Sequence, residues 1–139
     1  MASRLQRLFV VPAAVALAFA VGSCGGGSGI GVTLADFTIT PAESSGSAGD
    51  LTFDVTNDAE QTHEFVVFKT DLAEDGLPTD DEGLVDESGE GVELIDEIED
   101  IEGGSTQSLT VNLDAGNYVF LCNLPGHYAQ GMHASFSVS

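Results

Sequence analysis

From Val32 onward the chain alternates between apolar and polar positions. Val32 and Leu34 share one face, and after a slip at Ala35–Asp36, which reads as a bulge, Phe37 and Ile39 resume the period. The same alternation recurs at Leu51, Phe53 and Val55, at Leu109, Val111 and Leu113, and at Phe136 and Val138. A period of two sends successive side chains to opposite faces, so each run predicts a strand buried on one side. The clusters "TPAESSGSAGD", "TNDAEQ" and "LDAGN" between them are rich in turn formers. Short strands with such punctuation and few helical signals predict an all-β antiparallel sandwich.

Two runs break the alternation. "EFVVF" (64–68) and "YVFLC" (118–122) are apolar on both faces, which predicts strands covered on both sides. The natural cover is the segment 70–104, longer than an ordinary connection. It holds 15 acids and no base, together with Leu72, Leu77, Leu84, Val85, Val92, Leu94, Ile95, Ile98 and Ile101. The spacing 92, 95, 98, 101 fits a helix better than alternation, which fails at Asp96 and Asp100, so a short helix is expected within this acidic insertion. Its leucines and isoleucines are expected on the two-sided strands, with the carboxylates toward water.

At 139 residues the chain suits one domain. Its opening, "MASRLQRLFVVPAAVALAFAVGSC", has Arg4 and Arg7 before an apolar run from Leu8 to Val21. That run is short for a bilayer span and fits an export signal. "VGSC" resembles a bacterial lipoprotein processing site, with Val21 where leucine is commonest. Residues 1–23 are therefore read as a lipoprotein signal peptide and Cys24 as the lipidated first mature residue, held at the outer face of the cytoplasmic membrane. A noncleaved anchor helix, or a disulfide between Cys24 and Cys122, would be the alternatives. Residues 24–31, including "GGGSGIG", read as a tether, and 32–139 as the folded domain.

Charge narrows the partners. Beyond the signal, Lys69 stands alone against 23 acids, formally −22. Nucleic acid is excluded as an electrostatic partner, as is an anionic membrane surface, so membrane attachment rests on the lipid. The acidic run lacks the D-x-[DN]-x-[DN]-G order of a calcium loop.

The tail "YVFLCNLPGHYAQGMHASFSVS" concentrates scarce chemistry. Cys122, His127 and Met132 stand at even intervals in a chain with two cysteines, three histidines and two methionines. A thiolate, an imidazole and a thioether together favour a soft or borderline metal such as copper; zinc competes, but a thioether serves it poorly. A His2Cys plane with a weak axial Met requires a second imidazole. His63, on the threshold of "EFVVF", is the candidate, while His133, following Met132, is expected to face away. Pro125 and Gly126 should shape the loop before His127, and Gly131 the turn before Met132.

"GNYVFLCNLPGHYAQGM" resembles the G-x-Y-x-F-x-C…PGH…GM segment of the cupredoxins, and its C-x4-H-x4-M spacing is similar to that of the auracyanin and rusticyanin branch. The resemblance spans about residues 30–139 and is weakest over 70–104. It implies a Greek-key β-sandwich holding one copper ion through His63, Cys122, His127 and Met132 and carrying single electrons, with the edge of His127 as the electron port. Glu64 departs from the small amide or hydroxyl residue that several relatives carry after the first histidine, where it braces the ligand loop. The expected role is a membrane-tethered, extracytoplasmic blue copper protein, not an enzyme, serving a redox partner such as a cytochrome or an oxidase. The alternative is a copper carrier or metallochaperone. Multicopper enzymes need more histidines than the three present.

Overall fold

A computed structural model describes residues 29–139; the signal, Cys24 and most of the tether lie outside the described residues. Nine strands follow in order: β1 (Ile30–Ala35), β2 (Thr38–Pro41), β3 (Ser45–Gly46), β4 (Gly49–Asn57), β5 (His63–Thr70), β6 (Val92–Ile101), β7 (Thr106–Leu113), β8 (Gly116–Leu121) and β9 (His133–Val138). A single 3-10 turn, Tyr128–Gln130, is the helical element among the described residues. One sheet runs β2-β1-β4-β7 and the other β3-β9-β8-β5-β6. Neighbours are antiparallel except β1 with β4 and β3 with β9. The chain changes sheet between β6 and β7 and again between β7 and β8, so β8 lies beside β5 rather than beside β7.

The alternating runs face one another across the sandwich. Val32, Leu34, Phe53, Val55, Leu109, Val111 and Leu113 meet Phe65, Val67, Tyr118, Phe120, Phe136 and Val138 in one buried cluster. Four phenylalanines knit its centre: the Phe53 ring lies 5.0 Å from Phe120 and 5.5 Å from Phe136, both edge-on, Phe120 stacks on Phe136 at 5.0 Å, and Phe65 lies tilted 5.0 Å from Phe120. Such pairs add about 0.5–1.5 kcal/mol each to the burial itself. At the β7–β8 corner the Tyr118 hydroxyl donates to the Asp114 carbonyl at 2.8 Å, which fixes the start of β8.

The slip at Ala35–Asp36 is a tight hairpin, not a bulge. Ala35 pairs with Thr38, and Asp36–Phe37 form the two-residue turn between β1 and β2. Phe37 takes a left-handed φ of 57° there.

No helix forms at 92–101; the segment is β6, paired with β5. Opposite the step from Val67 to Phe68, β6 moves from Asp96 to Leu94, and opposite the step from His63 to Phe65 it moves from Ile101 to Ile98. Each irregularity adds a residue to β6, as in a β-bulge, and the second contains Asp100 with φ 52°. Two added residues stretch the period of two toward three, which imitates helical spacing. Ile95, Ile98 and Ile101 accordingly pack into the cluster between the sheets rather than onto its outer side.

The rest of the insertion does cover the two-sided strands. Leu77 and Val85 are buried against Val66 and Phe68 of β5, Val119 and Leu121 of β8, and Tyr128, with Val92 and Leu94 at the margin. Leu72, by contrast, is exposed. Asp80 accepts the amides of Glu82 (2.9 Å) and Leu84 (3.0 Å), and Asp86 that of Ser88 (3.0 Å). Asx turns of this kind order a segment without helix or sheet.

Candidate metal centre

The site lies where β5 begins and β8 ends. His63 is the first residue of β5 and fully buried; Cys122 directly follows Leu121, the last residue of β8. The unlike ends of two adjacent antiparallel strands meet by geometry, so an imidazole and a thiol 59 residues apart in sequence become neighbours. Asn57, also fully buried, shapes the approach to His63. Its amide donates to the carbonyls of Gln61 and Ile101, both at 2.8 Å, and accepts from the Ala59 amide at 3.0 Å.

The loop after Cys122 returns on its own hydrogen bonds. The Cys122 amide donates to the Met132 carbonyl (3.1 Å), and the Met132 amide to the His127 carbonyl (3.1 Å). Gly126 and Gly131 have φ of 80° and 100°, the left-handed conformations that the turns before His127 and Met132 require. His127 caps the 3-10 turn and is the partly exposed member of the set.

These elements bring the predicted residues together. His63 Nδ1 lies 3.2 Å from His127 Nδ1, and Cys122 Sγ lies 3.4 Å from His127 Nδ1 and 3.8 Å from His63 Nδ1. Met132 is fully buried in the same cluster as Cys122 and tied through its backbone to both Cys122 and His127. A point equidistant from the two nitrogens and the sulfur lies about 2.0 Å from each, close to first-row metal–nitrogen bonds of about 2.0–2.1 Å and somewhat inside metal–sulfur bonds of about 2.3 Å. Two imidazole nitrogens and a thiol turned on one point, with a buried thioether beside them, fit copper. Among the described residues Cys122 is a free, buried thiol.

Electrostatics prepare the donors. Burial lowers the pKa of His63, helped by the nearby His127, and burial lowers that of His127, so both rings stay neutral and able to bind a metal. Burial raises the Cys122 pKa, while the amides of Glu64 and Leu124 pull the other way. The Glu64 amide donates to Sγ at 3.3 Å, so this residue serves the sulfur through its backbone. Its carboxyl pKa is raised by burial and by Glu97, Glu99, Asp100 and Glu87.

His133 faces away, as expected, but is not simply a surface residue. Its ring packs 5.2 Å from that of Tyr128, and Nδ1 lies 3.7 Å from a Glu74 carboxylate oxygen. Phe37 was not anticipated as a neighbour of the centre; its ring meets that of His127 edge-on at 5.2 Å. Asn57 read only as turn punctuation, and nothing in the pattern singled out Asn123 or Tyr128.

With fold and site in view, the class is plain: residues 29–139 match the copper-binding proteins of the plastocyanin/azurin family, and the chain belongs to that family. It is a blue copper cupredoxin with a His2CysMet site. Among solved structures, the auracyanin of Roseiflexus castenholzii is similar at 22% identity and TM-score 0.57, covering 79% of this chain and 95% of the other. Auracyanin A of Chloroflexus aurantiacus aligns at 20% identity and TM-score 0.54, covering 81% of this chain and all (100%) of the other. A rusticyanin of Thiobacillus ferrooxidans aligns at 18% and TM-score 0.53, covering 78% of this chain and 76% of the other. No protein of curated function matches the sequence.

Proposed function

We propose that the protein is a one-electron carrier, tethered through Cys24 to the outer face of the cytoplasmic membrane. The supporting observation is the preformed triangle of His63, His127 and Cys122, whose atoms stand at coordinating separations on a packed scaffold. Copper held there would cycle between its +1 and +2 states, accepting and releasing one electron.

The chain's part is to keep that triangle from moving. His63 and Cys122 are fixed by strands, and His127 and Met132 by a loop closed on itself. Donors that cannot relax with the metal's charge keep the reorganisation cost of each transfer low. With copper bound, the Glu64 amide on the Cys122 sulfur and the Met132 thioether would tune its potential. His127 is the partly exposed ligand and would be the port, with the Phe37 ring against it.

Burial of the donors and the single thioether speak against the copper-carrier alternative, which would favour open, exchangeable ligation. A multi-copper oxidase of Pediococcus acidilactici shares the fold at 13% identity, but the match covers 31% of that chain. Three histidines in total leave no set for further copper centres, so the reading is not an enzyme. The excess of carboxylates would steer a basic redox partner, such as a cytochrome or an oxidase, raising its on-rate at low salt.

The test is to load the full-length protein with Cu(II), record its visible absorption, and mix the reduced form with an oxidised basic cytochrome c. An intense thiolate-to-copper band and transfer of one electron per copper, faster at low ionic strength, are expected. A weak ligand-field band alone, with copper passed to chelators on mixing, would establish the carrier instead.

A further inference from the structure

In the returning loop each ligand is followed by a residue that contacts the acidic insertion. Asn123, after Cys122, accepts the Val85 amide on Oδ1 at 2.7 Å and donates Nδ2 to the Val85 carbonyl at 3.1 Å. Tyr128, after His127, accepts the Leu77 amide at 3.0 Å and donates its hydroxyl to the Glu74 carbonyl at 2.8 Å. His133, after Met132, lies against Glu74. The C-x4-H-x4-M spacing therefore repeats one position on as Asn-x4-Tyr-x4-His, and that second row meets segment 74–85.

Side chains that pair with backbone amides and carbonyls far along the chain are specific devices. A surface loop can satisfy its own polar groups with water, so nothing about solubility calls for them. Asn123 saturates both backbone groups of one residue, Val85, whose side chain is itself buried with Leu77, Tyr128 and Leu121. The insertion is in turn anchored on β5 and β8, the strands that carry His63 and lead to Cys122. Strand and loop halves of the centre are thus joined through a third body.

We propose that the acidic insertion is the brace of the metal-binding loop, and that Asn123 and Tyr128 are positioning residues that hold Cys122 and His127 on their common point through Val85, Leu77 and Glu74. The role rests on the copper reading for its purpose but not for its physics, since the brace acts on the metal-free loop as well. Its apolar residues and backbone carry the function. Glu74 apart, its exposed carboxylates are separate from it.

The experiment compares full-length wild type with Asn123→Ala, Tyr128→Phe and Val138→Ala. Val138 is buried at the end of β9 remote from the centre, paired with Gly116, so its truncation loosens the fold without touching the loop. Copper loss to excess chelator should quicken about tenfold or more in Asn123→Ala, in line with the cost of removing outer partners of metal ligands. Tyr128→Phe, which keeps the ring, should quicken it by a smaller factor, and the thiolate-to-copper band should shift in both. Val138→Ala should lose thermal stability and keep the wild-type rate and spectrum.

Amide hydrogen exchange on the metal-free protein separates this proposal from the copper reading: exchange at Cys122 and Met132 should rise in Asn123→Ala relative to wild type. If Asn123→Ala does not fold, Tyr128→Phe carries the test through the same measurements. Wild-type copper loss, spectrum and exchange in the variants that fold would overturn the proposal, as would an equal acceleration in Val138→Ala.

Discussion

The two hydrophobic clusters of this molecule are built differently. The inner one lies between the sheets, draws on both of them, and is knit by edge-on and stacked phenylalanines. The outer one is smaller, uses one face of β5 and β8, and is roofed by a segment with no regular element between β5 and β6 apart from one bridge, Thr79 to Val85. Both reach the metal centre. Cys122 and Met132 belong to the inner cluster and Tyr128 to the outer. The inner cluster decides where the donors emerge, and the outer one how firmly the loop that carries half of them is held.

Four outcomes would break or sharpen that contrast. The largest effect belongs to the inner cluster: Phe120→Ala should cost about 3–5 kcal/mol of unfolding free energy, read by denaturant titration, because a fully buried ring at the centre is lost. Truncating the roof with Leu77→Ala should cost about 2 kcal/mol in the same assay, near the low end for a buried leucine, yet raise copper loss out of proportion to the destabilisation. A Leu77→Ala effect as large as that of Phe120→Ala would mean that the clusters act as one.

Third, apparent copper affinity should follow pH. The thiol pKa is raised and both imidazole pKa values are lowered, so near neutrality binding displaces one proton, that of Cys122. Affinity should then rise about tenfold, or about 1.4 kcal/mol, per pH unit through the neutral range, falling more steeply in acid once the histidines charge. Competition titrations against a chelator at several pH values would show it, and a flat profile would mean the thiol is already ionised. The smallest effect is Gly131→Ala. Its φ of 100° disfavours any side chain, although open space surrounds the position, so about 1–2 kcal/mol is expected by thermal unfolding.

What the sequence disclosed follows from which interactions are local. Alternation at Phe53, Val55, Leu109, Val111 and Leu113 was readable because one sheet face is buried and period two is the only way to bury it. His63, Cys122, His127 and Met132 were readable because metal donors are few in kind and three of them share one loop. The insertion's cover of the two-sided strands followed from Leu77 and Val85, which had nowhere else to go. The helix at 92–101 failed because two irregularities added residues to β6, and the extra residues answer to β5, which the spacing within β6 cannot reveal. Asn57, Asn123 and Tyr128 stayed silent for a related reason. Their partners are main-chain groups, which every residue carries alike, so no residue type at Val85 or Leu77 announces the bond.

Strand β6 is the outer margin of its sheet. Glu93, Asp96, Glu99 and Asp100 are exposed along it, and its ladder is broken twice. A stray strand from another molecule would find no continuous row of donors and acceptors there, and would have to bring its own backbone up against repelling anions. The irregularities that disguise β6 as a helix thus also stop the sheet from growing, and so guard a crowded population of these molecules against fibre formation.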